Sequence, residues 1–349
     1  MVANDILIFN EIPKGKPVPG QTTVKKQEEF DLDQSLPDGA ILVKTLALSL
    51  DPYMRGRMRD ESIESYVPAL KLHAPIENFA VVEVLRAGEN AKFQKGQKLY
   101  GYSKFQNYSV IPKEQAESLR VLENKEGLPW TTWVGSAGMP GQTAWYGLKF
   151  IGKPQKGETV FVSGAMGPVG QVTIALAHAA GCKVIASAGS EEKIKYLREE
   201  LKVECAFNYK TEDPNKVLAD WNQKEGRPFS IYVDNVSGAQ LTAALAHIAR
   251  RGRIVAIGSV VDYHGEQHGI EGVFQVVAKE LTWEGFLVLN RMTPELFEQF
   301  YAEVPPALAS GKFARPKEHV TIGLDNGEAF AALFDSEASN FGKAVYSFE

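Results

Sequence analysis

The rhythm of hydrophobic positions changes once along this chain. From Ile6 to about Val110 the apolar residues come in short alternating or β-rich runs, at 6–9, 40–45, 80–85 and 98–102. Pro13, Pro17, Pro19, Pro37-Asp38-Gly39 and Lys95-Gly96-Gln97 separate them. Runs of this kind bounded by Pro and Gly predict strands joined by turns, so a β-rich domain with few helices is expected here. After Trp130 the pattern becomes apolar strands at 159–163, 183–187, 205–208, 230–234, 253–258 and 281–288. A small-residue helix over 170–180, closed by Gly181, and helices beginning near Ser190, Pro214, Gly238 and Gly272 fill the gaps. Near-continuous apolar strands alternating with helices predict an α/β fold with a doubly wound, mainly parallel sheet. The polar stretch 260–269 reads as a loop over the carboxyl edge of that sheet. An amphipathic helix from Thr293 to about Ala309 and a turn-rich segment ending in a strand at 344–348 close the chain.

Composition narrows the class of function. The 349 residues carry 38 Lys and Arg against 43 Asp and Glu, a formal net charge of -5. No basic field is available to hold nucleic acid or an anionic membrane, so a small-molecule partner is expected. No run approaches the roughly 18 apolar residues of a spanning helix, and no secretory signal is visible. Two cysteines, Cys182 and Cys205, permit neither a disulfide framework nor a four-cysteine zinc site, which points to a reducing, cytoplasmic location. Both are expected to pack as small hydrophobes. His264 and His268 stand four apart, but Gly265 and Gly269 argue against the helix that would make them a metal pair, and no metal is expected.

The sharpest chemical signal is Gly164-Ala165-Met166-Gly167-Pro168-Val169-Gly170, placed between a strand and a helix. Glycines let the backbone turn tightly and approach a pyrophosphate, which then meets the positive end of the helix starting near Pro168. No acidic residue follows the second strand, where an NAD site would place one for the ribose hydroxyls. The chain instead presents Ser190, a candidate N-cap, and Lys193 in the first helical turn, where the dipole disfavours a cation unless a phosphate is bound. Lys193 reads either as a ligand for the 2′-phosphate of NADPH or as a solvated lysine offset by Glu191 and Glu192. Tyr209 could flank the same phosphate, flank the adenine, or simply pack.

These residues, taken in order, resemble the zinc-independent medium-chain dehydrogenase/reductase superfamily, and within it the leukotriene B4 dehydrogenase, prostaglandin reductase and alkenal double-bond reductase family. The resemblance runs along essentially the whole chain. Its markers are Asp51-Pro52-Tyr53-Met54-Arg55-Gly56-Arg57-Met58, Gly138-Met139-Pro140-Gly141-Gln142-Thr143-Ala144, the glycine loop, Ser187-Ala188-Gly189-Ser190 with Lys193, Phe207-Asn208-Tyr209-Lys210, Val233-Asp234-Asn235-Val236, Glu284-Gly285-Phe286 and Asn340-Phe341-Gly342-Lys343-Ala344-Val345. It implies a GroES-like catalytic domain over 1–128 and 305–349, interrupted by an NADPH-binding Rossmann domain over 129–304, and a homodimer joined through the sixth strand.

By motif match, Gly164, Met166, Gly167, Val169 and Gly170 would cradle NADPH, with Lys193, Tyr209 and Ser190 at its 2′-phosphate. Asn235 and Asn340 would orient the cofactor, and Thr143, Phe286 and Val288 would lie toward the nicotinamide. Tyr263 falls on the family's loop tyrosine, the proton donor or carbonyl anchor, and Tyr53 on a substrate-pocket tyrosine. Two departures stand out. Asn78-Phe79 occupies a place where many members carry Gly-Tyr, and Asp234 to Gly238 replaces a Gly-Gly ending. Arg55 and Arg57 are expected in salt bridges.

The reaction so implied is NADPH-dependent reduction of the carbon–carbon double bond of an enal or enone. Hydride adds to the β-carbon while a hydroxyl such as that of Tyr263 steadies the charge growing on the carbonyl oxygen. Quinone reduction on the same cofactor frame and a catalytically silent NADPH-binding module are the alternatives.

Overall fold

The computed structural model describes residues 1–263, 268–335 and 341–349. It divides into two compact units, one built from 1–135 and 318–349, the other from 136–317. The boundaries expected from sequence, 128/129 and 304/305, lie earlier on both sides. Side-chain bonds explain the difference. The segment after Pro129 is held in the first unit, where the Val134 carbonyl lies 3.1 Å from Ser49 Oγ and Thr132 Oγ1 donates to Glu318 (3.0 Å). Helix Pro294–Ala309 stays with the second, where Trp145 Nε1 donates to Glu303 (2.9 Å) and the Trp145 ring meets Phe300 edge-on.

The first unit is β-rich. Strand Ile41–Ser49 pairs antiparallel with Glu77–Ala87, Tyr108–Ile111 and the returning Lys343–Ser347, which joins the two ends of the chain in one sheet. Lys98–Lys104 and Arg120–Leu122 extend it on one side and Glu318–Ile322 on the other. A smaller sheet sets Val2–Phe9 between Thr23–Phe30 and Ala74–Pro75. Strand Thr23–Phe30 is not visible in the sequence pattern. Its run Thr-Val-Lys-Lys-Gln-Glu-Glu-Phe lacks alternation because its face is largely exposed and pairing comes from the neighbouring strand.

The second unit holds a six-stranded parallel sheet. With its strands numbered along the chain, the order is 3-2-1-4-5-6, the arrangement of the doubly wound nucleotide fold. Thr159–Val162, Lys183–Ala188, Cys205–Asn208 and Ile231–Asp234 appear at the expected places. The fifth strand stops at Ala256, two residues short of Gly258, because the amides of Ile257 and Gly258 turn to donate to the Asp234 carbonyl (2.9 and 3.2 Å). The sixth covers only Thr282–Gly285; Phe286 and Leu287 leave the ladder and Val288–Asn290 forms a 3₁₀ turn. The helix expected near Gly272 is a single turn, Gln275–Ala278. Helix Met139–Tyr146 and the π-helical turn Gly147–Gly152 after it carry no clear periodic signal; Lys153, with φ of 46°, ends them.

Apolar burial holds this sheet. Phe161, at the centre of the first strand, stacks on Tyr232 (4.7 Å) and meets Phe229 edge-on (5.9 Å), with Phe207 and Ile254 beside it in one core cluster. Each such side chain contributes about 1.5–3 kcal/mol on burial. The result is a rigid edge at the carboxyl ends of the strands, where ligands bind in open α/β sheets. Cys182 is buried in the same unit and Cys205 half-buried. Burial pushes the Cys182 thiol up to about 11, so it behaves as the expected hydrophobe.

Candidate functional site

At the carboxyl edge of the first Rossmann strand, Gly164 turns with φ of 57°, a conformation that a side chain would strain. Gly167 caps the helix Pro168–Ala179, with Pro168 at its first position. Gly170 lies so close to the preceding turn that a Cβ would come within 2.6 Å of the Ala165 Cα and carbonyl oxygen. The loop is tied down on both flanks. Ala165 N donates to the Ser187 carbonyl (3.0 Å), and Gln171 Nε2 to the Met166 carbonyl (2.8 Å). Val169 accepts from the Thr173 hydroxyl within the helix. The close helix–strand approach needed for a backbone cradle is therefore built into these glycines.

A cationic cluster lies at the ends of the second and third strands. Ser190 caps the helix Glu191–Glu199, its hydroxyl accepting from Lys193 N (3.4 Å). Burial, then the nearby charge of Lys210, pushes the Lys193 ammonium below its usual range, with Glu192 opposing. The charges of Lys193 and Lys210 act on each other here and favour an anion, with Glu192 as the nearby opposing charge. Lys210 was part of the sequence motif but carried no expected role; its proximity to Lys193 is a tertiary fact. Gly189 completes the corner, since a Cβ there would meet the Tyr209 hydroxyl at 2.9 Å and Lys210 Cε at 3.2 Å. Tyr209 itself is 43% exposed, its hydroxyl lying against Gly189.

The fourth strand ends in a turn organised by Asp234. Its Oδ1 accepts from the Tyr232 hydroxyl (2.8 Å) and from the amides of Val236 (3.1 Å) and Ser237 (2.7 Å). Ser237 is held at φ of 69° by that last bond. Burial drives the Asp234 carboxyl up, and the bonds from Ser237, Tyr232 and Val236 oppose it. Asn235 follows, its Nδ2 donating to the Ser163 carbonyl (2.7 Å) and its backbone amide to Ser163 Oγ (3.1 Å). One hydrogen of the amide nitrogen is thus committed, and the amide oxygen can accept. Asp234 and Ser163 are supports that sequence reasoning missed; a polar pair at two strand ends was the only available signal.

Tyr263 lies in the irregular segment after the fifth strand. A Cβ on Gly258 would come within 3.2 Å of its hydroxyl and 3.4 Å of the Asn235 carbonyl oxygen, which brings Tyr263 to the same edge as Asn235. Asp262 beside it accepts from the Ser259 hydroxyl and from His268 Nδ1 (3.2 Å). Thr143 donates its hydroxyl back to the Met139 carbonyl (2.8 Å), so it can only accept from a ligand. Phe286 packs on Tyr146 (5.3 Å) and over Gly147, whose Cβ would meet its ring at 3.1 Å. Val288 is buried in the 3₁₀ turn. Asn340 and His264 lie outside the described residues. Among the described residues no three or more His, Cys, Asp or Glu side chains form a group that could hold a metal.

The β-rich unit contributes a separate polar cluster. Tyr53 hydrogen-bonds Asn78 Oδ1 (2.5 Å) and the Tyr102 hydroxyl (3.1 Å). The expected salt bridges of Arg55 and Arg57 are replaced by bonds to carbonyls. Arg55 donates to the Gly15 and Pro13 oxygens, and Arg57 to those of Pro68 and Glu77 while lying 5.7 Å over the Tyr102 ring. Loop carbonyls need donors and arginine offers five, so both residues tether the turn that carries Tyr53.

Comparison with known proteins agrees with this fold. The sequence model of the N-terminal domain of oxidoreductase matches residues 6–119 and that of the zinc-binding dehydrogenase matches 168–303. The chain is 36% identical to the NADP(+)-dependent 2-alkenal reductase of Nicotiana tabacum over 99% of its own length and 97% of the relative's. It is 35% identical to a zinc-type alcohol dehydrogenase-like protein of Schizosaccharomyces pombe, covering 99% of this chain and 98% of that one. CurA from Vibrio vulnificus, solved in complex with NADPH, superposes with a TM-score of 0.85 at 27% identity, over 99% of each chain. The chain belongs to the zinc-independent medium-chain dehydrogenase/reductase family that includes the alkenal double-bond reductases.

Proposed function

We propose that the protein uses NADPH to reduce the carbon–carbon double bond of α,β-unsaturated aldehydes and ketones. The observation that carries this reading is the Tyr263 hydroxyl, held over Gly258 and beside Asn235 at the carboxyl edge of the parallel sheet. The residues of that edge fit the cofactor. Gly164, Met166, Gly167, Val169 and Gly170 leave room for a pyrophosphate, and Lys193, Lys210, Tyr209 and Ser190 surround a place for a 2′-phosphate. The oxygens of Asn235 and Thr143 accept from the nicotinamide end, near Phe286 and Val288, with Asn340 assigned to the same end by resemblance.

Bound NADPH supplies the hydride, which forms a new bond to the substrate β-carbon. Tyr263 donates a hydrogen bond to the carbonyl oxygen as electron density moves there, and a proton from solvent then adds to the α-carbon. A neutral hydroxyl suffices because conjugation delivers the charge to an oxygen. The tobacco 2-alkenal reductase supports this choice of substrate class. The test is NADPH consumption with enals, enones and quinones, followed by product analysis. Tyr263→Phe should lower turnover of an enone by roughly 10- to 1000-fold with NADPH binding nearly unchanged. An allylic alcohol as product, or turnover of quinones alone, would overturn the reading.

We also read the protein as a homodimer. The edge strand Thr282–Gly285 has an open side in the sheet order, and Phe274 and Val277 near it are 74% and 69% exposed.

A further inference from the structure

Asn78 stands in the middle of a line of polar groups that runs through the β-rich unit from a buried lysine to two partly buried tyrosines. Lys343 donates to the Leu50 carbonyl (2.5 Å) and to Asp51 Oδ1 (2.8 Å). Asp51 Oδ2 accepts from the Ser49 hydroxyl (2.5 Å) and from Asn78 Nδ2 (2.9 Å). The same Asn78 corner lies 3.0 Å from the Ser49 carbonyl and 3.1 Å from the Met54 sulfur. All three neighbours are acceptors, so this corner must be the NH₂ group, and the amide orientation is decided by chemistry.

Asn78 Oδ1 therefore faces the Tyr53 hydroxyl, 2.5 Å away. An amide oxygen only accepts, so Tyr53 donates, and its single proton is committed. Tyr102, 3.1 Å from Tyr53, must then be the donor of that pair, and its proton is committed too. Phe79, packed on the Tyr102 ring at 4.5 Å, adds no hydroxyl. Both tyrosines present lone pairs and no free proton.

We propose that Asn78 is a specificity-determining residue that fixes the Tyr53 hydroxyl as an acceptor, so that this part of the β-rich unit selects a ligand carrying a hydrogen-bond donor, a hydroxyl or N–H, over one carrying only ether or carbonyl oxygens. This rests on the reading of Tyr53 as a substrate-facing residue. Burial keeps the polarity fixed: Asn78 is 0% exposed, and reversing its amide would set its oxygen against three acceptors. Sites with fixed hydrogen-bond polarity discriminate strongly because the wrong ligand leaves a group unpaired.

The test measures binding of a matched pair, a saturated hydroxyketone and its methyl ether, to the full chain with NADP+ by ligand-observed NMR. The two differ in the ability to donate. The wild type should prefer the hydroxyketone by roughly 2- to 12-fold, the range for one net hydrogen bond. Asn78→Ala frees the Tyr53 proton, so the ether should gain affinity and the ratio approach one. Tyr53→Phe, which leaves the Lys343–Asp51–Asn78 line intact, should abolish the preference even if Asn78→Ala fails to fold. No preference in the wild type, no binding of either ligand, or an unchanged ratio in the folded variants overturns the proposal. Enone turnover measured alongside keeps the two readings apart: its absence counts against the proposed reaction, whereas turnover without a donor preference counts against Asn78 alone.

Discussion

Lys193 shows how a single residue acquires a task from its surroundings. Burial and Lys210 hold its pKa below 10.5, so the cluster binds protons less readily when empty than a free lysine would. A bound phosphate dianion reverses this. Once pH rises above the lowered Lys193 pKa, binding NADPH must take up a proton, and affinity falls with further increase in pH. On the acid side the phosphate loses its second charge near about pH 6. The preference for NADPH over NADH is therefore expected to be greatest between the phosphate limb and the lowered Lys193 pKa and to decline on either side, while NADH affinity follows neither limb. Lys193→Ala should cut the preference by about 10- to 150-fold, the equivalent of one charge-assisted bond. Parallel fluorescence titrations of both cofactors across pH check this, and a pH-independent ratio would contradict it.

Among the elements, the turn after the fourth strand does most to place polar groups. Four residues from Asp234 to Ser237 reverse the chain without a glycine at Ser237, whose positive φ survives because its amide is bonded to Asp234. Asp234→Ala would leave the amides of Val236 and Ser237 without their acceptor in a buried place, while the Tyr232 hydroxyl keeps Ser163 Oγ at 3.0 Å. The expected loss is about 1–3 kcal/mol per unsatisfied group, partly relieved by water. Urea unfolding should show a lower midpoint, and NADPH affinity should fall with it because Asn235 depends on this turn. A variant of unchanged stability and affinity would show that the turn is held by other contacts. The β-rich unit has its counterpart in the Arg55 and Arg57 tethers, where carbonyls of two loops and of the strand start at Glu77 converge on two guanidiniums.

For the whole molecule, the net charge of -5 leaves no large repulsive field to oppose self-association. Sedimentation equilibrium should give twice the chain mass of 38.4 kDa. Trp283→Lys on the sixth strand should shift the distribution toward monomer, and an unaltered monomeric wild type would remove the strand-edge reading. No helix among the described residues is long and apolar enough to cross a membrane.

The local pattern by itself determined much of this protein. A run such as Thr159–Val162, short, β-branched and aromatic, reads as a buried strand, and the glycine loop beside it limits what can follow. Ser190 as a cap and the missing acid after the second strand are likewise properties of adjacent residues. The order of motifs along the chain carried the family. Tertiary structure alone decided the rest, because it depends on residues far apart in sequence. Strand Thr23–Phe30 exists through pairing with Val2–Phe9 rather than through its own polar run. Lys210 matters only once the third strand brings it against Lys193, and Arg55 finds carbonyls forty residues away. Asn78 could be seen in the sequence only as a departure from the family pattern. Its amide acquires a direction when Ser49, Asp51 and Met54 crowd one end of it with acceptors, since a hydrogen bond's polarity is set by all the partners present and not by the residue that carries it.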